Sequence, residues 1–329
     1  MKKFEIRSKL LRISIFPVLL LWMSVLSAQD ANLPWLKYQQ AATFYKQDGP
    51  TAEIIDLLKE VQNSSKDSVL IGRSILLAAA ALERGAQYDK ALLELQKLNQ
   101  PGKNYLETMK SEAWLRSGII SIKNDDVKSA RKYFTKVLEG LGNSFLKREA
   151  IIGLAWLHAD ENNWVKCDSL LQLVSETDYN QNNDERILIL RARHLIATEQ
   201  YPQAIELLGN LESQSGLYYL AMAHELAGNR IMAVSVYKKL HDKFPGTPEA
   251  QQALFQAAEV FMRAEDWLAA RSEFKRLLQS GLQNADGIHF RLGWIYMNLG
   301  ELDQALAEFR YQAEAENTGY FRYMEAECL

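Results

Sequence analysis

Residues 290–309 read FRLGWIYMNLGELDQALAEF, and the fold turns on that stretch. Gly293 and Tyr296 stand three apart, and Ala305 and Phe309 four apart, so each couple shares one face of a helix. A small residue beside a large one, twice over, predicts two helices that approach closely.

The arrangement recurs up the chain. Small or apolar residues equivalent to Ala305 stand at Ile54, Ala91, Ala130, Cys167, Ala204, Ala233 and Ala270, at steps of 37, 39, 37, 37, 29, 37 and 35 residues. Four residues after each of these anchors comes a bulky one: Leu58, Leu95, Phe134, Leu171, Leu208, Tyr237, Phe274 and Phe309. A third apolar residue follows three later, from Val61 to Leu277, and only Gln312 breaks the rule. Twelve residues before each anchor the residue is small throughout: Ala42, Ala79, Gly118, Ala155, Ala192, Ala221, Ala258 and Gly293. Eight small residues in register predict close contact between two backbones. The links between paired helices, such as Gly85 to Gln87, Lys123 to Asp126, Asp160 to Asn163 and Gly228-Asn229, are short and polar or glycine-bearing. Short links favour antiparallel hairpins.

The pattern resembles the tetratricopeptide repeat, a helix hairpin of about 34 residues with the consensus W-x₂-L-G-x₂-Y, then A-x₃-F, then P. Leu292-Gly293-x₂-Tyr296 followed by Ala305-x₃-Phe309 is the fullest match, and Trp114 with Gly118 and Ala233-x₃-Tyr237 before Pro245 add to it. The resemblance implies an all-α, right-handed superhelical solenoid of about eight hairpins over residues 29–315, with 316–329 a partial ninth first helix or a cap. Within the family, Lys243-Phe244-Pro245-Gly246-Thr247-Pro248-Glu249-Ala250, leading through Ala253-Leu254 to Trp267-Leu268-Ala269-Ala270, is similar to repeats of bacterial envelope proteins. These include the outer-membrane assembly lipoprotein of the Bam complex and the periplasmic partner of the Tol-Pal system.

The N-terminus reads as an address. Lys2, Lys3, Arg7, Lys9 and Arg12 precede Ile13–Leu26, a fourteen-residue uncharged apolar run, and Ser27-Ala28 supply small residues before a cut at Gln29. The run is short for a bilayer span, which takes about 20 apolar residues, so residues 1–28 are expected to be a secretory signal, with an uncleaved tether as the alternative. The expected location is the periplasm, with association to the outer membrane as an option. Without the first twelve residues, 33 basic residues face 40 acidic ones. A surface of that sign repels nucleic acid and anionic lipid, so neither is an expected partner.

Catalytic chemistry is not expected. Two cysteines, Cys167 and Cys328, make no disulfide framework or Cys-rich metal site. His224-Glu225 begins like a zinc-protease helix, but Gly228 stands where the second histidine belongs. His158 and His224 read as packed, hydrogen-bonded core histidines. No nucleophile elbow or phosphate-cradling glycine loop occurs, so the chain is read as a non-enzyme with no cofactor and no metal.

What remains is surface. In this family the first helices line the concave side, and the resemblance implies that the residues three before, one after and four after each small residue face the groove. They are Gln39, Thr43 and Lys46 in the first unit, then Leu76, Ala80 and Glu83. Leu115, Ile119, Ile122, Ile152, Trp156 and Ala159 follow, then Ile189, Arg193 and Ile196. The last three units add Tyr218, Met222, Glu225, Phe255, Glu259, Met262, Phe290, Trp294 and Met297. Aromatic and methionine side chains gather at the far end. Tyr218, Met222, Phe255, Met262, Phe290, Trp294 and Met297 are therefore the candidate partner-binding residues, suited to a helix or an extended apolar peptide. An adaptor for a protein or peptide partner is the leading expectation. A structural subunit of an envelope assembly, or the recognition half of a longer enzyme or channel, are the alternatives.

Overall fold

The computed structural model describes residues 33–100, 102–175, 184–279 and 286–316, with Met324 and Glu327. The expected signal at 1–28 and Cys328 lie outside the described residues, as does most of the segment 316–329. Sixteen α-helices and no strand are described, and they pair in chain order as eight hairpins. These are α1 (Leu33–Lys46) with α2 (Thr51–Ser64), α3 (Ser68–Arg84) with α4 (Tyr88–Gln96), α5 (Glu107–Lys123) with α6 (Val127–Glu139), and α7 (Ser144–Asp160) with α8 (Trp164–Ser175). Then come α9 (Glu185–Ala197) with α10 (Tyr201–Leu208), α11 (Gln214–Leu226) with α12 (Arg230–Lys243), α13 (Pro248–Arg263) with α14 (Trp267–Gln279), and α15 (Asp286–Asn298) with α16 (Leu302–Glu316). Residues up to Arg186 form one compact unit and residues from Ile187 a second.

The expected register is the observed core. All eight anchors, Ile54 to Ala305, are fully buried, and so are the bulky residues four later, apart from traces of exposure at Leu171 and Tyr237. Side chains of that size stabilise by about 1.5–3 kcal/mol each when buried. Cys167 takes its anchor place as a free, buried thiol, behaving as a small hydrophobe. The 29-residue step has a local cause. Helix α10 stops at Leu208 after eight residues, and Leu211 follows half-buried beyond it. In the second hairpin a 3₁₀ turn at Lys97–Asn99 extends α4 and keeps Leu98 buried.

At the two glycines of the series the close neighbour differs from the expectation. The object against Gly118 is the Phe134 ring, whose nearest atom lies 2.5 Å from where a Cβ would stand. Gly293 meets the Phe309 ring at 2.6 Å in the same way. A ring of the second helix, rather than its backbone, occupies the space. In both hairpins with glycine the bulky partner is Phe, and wherever that partner is Leu the small residue is Ala.

The turns within the hairpins share one geometry that composition concealed. In seven of them the residue five before the anchor has positive φ: Ala86 (54°), Asp125 (58°), Asn162 (56°), Glu199 (61°), Gly228 (78°), Glu265 (59°) and Gly300 (73°). The first, longer turn uses Asp48 (53°). The next residue's N–H closes back onto the helix, as in Gln87 N to Leu82 O at 2.9 Å, Asp126 N to Ser121 O at 2.8 Å and Glu301 N to Tyr296 O at 2.9 Å. This six-to-one bond with a left-handed residue is the Schellman stop of a helix. Gly85, which the sequence suggests as the turn residue, has φ −80°; Ala86 makes the turn.

Candidate functional site

Helix α11 starts at a Ser213 cap, whose Oγ accepts from Gly216 N at 3.0 Å, and α13 at a Thr247 cap, whose Oγ1 accepts from Ala250 N at 3.2 Å, with Pro248 in its first turn. These caps fix where each helix begins. Leu254 and Ala258 of α13 then pack in one core with Ala270, Phe274 and Leu277 of α14.

The lining positions divide sharply along the chain. Leu76, Ala80, Leu115, Ile119, Ile122, Ile152, Ala159, Ile189 and Ile196 are buried, so between residues 76 and 196 these side chains are core. In α11, α13 and α15 none of the nine lining residues is buried. Trp294 is 40% exposed. Phe255, Met262, Phe290 and Met297 are half-buried, packed from outside onto the terminal cluster of Leu254, Phe274, Leu292 and Phe309. Phe255 meets Phe274 edge-on at 5.6 Å, and Phe290 lies 6.0 Å from Phe309. Met222 packs against Ile196, Ala204 and Ala223. Tyr218 leans on Tyr219 and Tyr237, and burial, then Tyr219 and Glu225, push its phenol up to about 12.

An ionic chain frames these rings. Arg263 reaches Glu225 and, at 3.8 Å, Glu259; Arg291 pairs with Glu259 and covers the Phe255 ring at 4.6 Å. Glu225 also accepts from Tyr237 Oη at 3.0 Å. Burial and the neighbouring Glu225 both raise the Tyr237 pKa, so it remains a donor. Two guanidiniums and two carboxylates cancel, and the face offers apolar rings without net charge. Arg263 and Arg291 escape a reading built on apolar periodicity. The signal that finds them is opposite charge offset by one repeat, Glu225 with Arg263 and Glu259 with Arg291.

Of the histidines, His158 is buried with Nε2 2.9 Å from Arg131 Nη1, as a core histidine should be. His224 is half-buried, but its Nδ1 has no hydrogen-bond partner, which departs from the satisfied reading. Glu225 beside it serves the ionic chain. Among the described residues no group of three or more His, Cys, Asp or Glu side chains is placed to hold a metal ion.

Residues 215–247, the α11–α12 hairpin with its exit turn, match the tetratricopeptide repeat. None of the curated proteins matches the chain. Among solved structures, the chain is similar to a signal-transduction ATPase with a tetratricopeptide repeat sensor from Pyrococcus horikoshii, at 13% identity and a TM-score of 0.62, covering 91% of this chain and 50% of that one. It is similar to the Cut9-Hcn1 hetero-tetramer of the APC/C at 15% identity and a TM-score of 0.54, covering 89% of this chain and 55% of that one. A tetratricopeptide repeat protein from Parabacteroides merdae aligns at 11% identity and a TM-score of 0.44, over 90% of this chain and 98% of that one. The fold is thus an all-α solenoid of tetratricopeptide-type hairpins, and this chain spans about half the length of the first two proteins.

Proposed function

We propose that this chain is an exported, non-enzymatic adaptor of tetratricopeptide-type hairpins, which binds a protein or peptide partner in the bacterial cell envelope through the face of α11, α13 and α15. One observation carries the binding reading: the lining positions, mostly buried between residues 76 and 196, are all solvent-accessible from Tyr218 to Met297. Half-buried rings and methionines held on a rigid helical base suit an apolar helix or extended peptide. Export is supported by the basic start and the apolar run Ile13–Leu26. Envelope placement is further supported by the likeness of residues 243–270 to envelope repeats.

Trp294 is the residue to test, since its exposure separates binding from packing. A photo-crosslinker at 294, expressed in the source cell, should yield a discrete envelope-protein adduct, and one at Thr43 should not. Trp294→Ser should abolish the interaction with the identified partner while the helicity seen by circular dichroism is kept. Equal labelling from both positions would move the partner site elsewhere.

A second reading, a structural subunit of an envelope assembly, is favoured by Ile231 (86% exposed), Leu268 (59%) and Leu302 (47%), which start the second helices of the last three hairpins. Co-purification in a constitutive complex that survives Trp294→Ser would support it.

A further inference from the structure

In the first unit, second helices α6 and α8 part above α7 and leave an open cleft of about 410 Å³. Arg131 and Thr135 of α6, Leu154 and His158 of α7, and Lys166, Ser169 and Leu170 of α8 line it. The second helices differ at the position three after the anchor. In α4, α14 and α16 the residue three after the anchor is a glutamate that answers a basic group: Glu94 with Lys97 at 2.6 Å, Glu273 with Lys238 at 2.5 Å, and Glu308 with His289 at 2.6 Å. In α8 that position is Leu170, and in α2, α6, α10 and α12 it is likewise uncharged, as Leu57, Tyr133, Leu207 and Val236.

The cleft wall supplies two cations, Arg131 and Lys166, and the carboxylate of Glu161 stands at its rim, 3.6 Å from His158 Nδ1. Arg131 is held at the rim by Glu161, Nη2 to Oε1 at 2.7 Å, and its Nη1 lies against the His158 ring. Lys166 makes no ion pair among the described residues. Thr135 Oγ1 and Ser169 Oγ donate to their own helices, to Arg131 O at 2.9 Å and Val165 O at 2.8 Å, so they add polarity without charge. Burial first, then Arg131, lowers the His158 pKa, and the imidazole is neutral at neutral pH. Leu154 and Leu170 make the rest of the wall apolar.

We propose that this cleft binds the anionic group of a small molecule, a carboxylate or phosphate on a short apolar stem, with Lys166 as its counter-ion, Arg131 beside it, and the stem against Leu154 and Leu170. The site is independent of the α11, α13 and α15 face.

The test titrates the purified full chain with hexanoate and, separately, with butyl phosphate, following the His158 imidazole by NMR. Saturable shifts with either probe are expected, and the probe that binds more tightly identifies the headgroup. Acetate should bind at least tenfold more weakly than hexanoate if the stem is recognised. Lys166→Gln, at an exposed position that leaves the fold intact, should weaken binding at least tenfold. Leu170→Glu, which places a carboxylate in the wall, should abolish it, and its folding is checked by circular dichroism. Failure of both probes to shift His158, or equal affinity in Lys166→Gln, would overturn the proposal.

Discussion

Gly293 and Phe309 fill a space that holds one backbone and one ring. A Cβ on residue 293 would lie 2.6 Å from a ring that is itself fully buried and has nowhere to retreat. Gly293→Ala should therefore destabilise, by about 1–3 kcal/mol as overpacking does. Adding Phe309→Leu should recover much of that loss, because Ala with Leu is the combination used by four other hairpins. Denaturant melts of the two single variants and the double give the coupling, and simple additivity would show that the two sites do not share the space. The left-handed turn residues make a second contrast. Ala86 holds φ 54° with a Cβ, a conformation that costs an L-residue roughly 1–2 kcal/mol. Ala86→Gly is expected to stabilise by about 0.5–1 kcal/mol, the gain being trimmed by the freer unfolded chain. Gly228→Ala should do the reverse, losing about 1 kcal/mol. A Cβ at residue 228 meets nothing within 4 Å, so backbone strain alone is measured.

At the scale of elements, an ionic cluster inside the first unit joins α7 to Asp184 and Arg186. Glu149, 2% exposed, receives Arg186 through two bonds of 2.6 and 2.9 Å, and Asp184 joins Arg148 at 2.7 Å and Arg186 at 2.8 Å. Burial by itself would raise the Asp184 pKa, but Arg186 and Arg148 outweigh it and bring the carboxyl down to about 2. A folded-state pKa below the unfolded value means stability that is complete above about pH 4 and lost as pH falls through about 2. The gap from 3.8 to about 2 corresponds to about 2 kcal/mol. Asp184→Asn should accordingly lower the melting temperature at pH 7 and converge on the parent near pH 2. A constant difference across that range would assign the loss to packing. This cluster was not legible beforehand, because nothing in Arg148, Glu149, Asp184 and Arg186 marks them as neighbours until the hairpins are built. The anchors were legible, since a buried helical face repeats at fixed spacing whatever the identities are. The Schellman turns were not, because Ala, Glu and Asp at positive φ leave no compositional trace.

For the molecule as a whole, register was readable and exposure was not. The periodicity that places Ile119 and Trp294 at equivalent positions cannot say that one is core and the other open; neighbouring helices decide that, and they vary along the stack. The Schellman stops carry a separate consequence for how the chain reaches this state. Each hairpin holds its own helix-ending signal, and helix contacts fall overwhelmingly between consecutive elements. Low contact order of this kind removes the wait for remote partners and places folding in the fast range of small helical proteins, micro- to milliseconds per unit. A chain delivered progressively can thus build in order, each new hairpin covering the apolar face of the one before it.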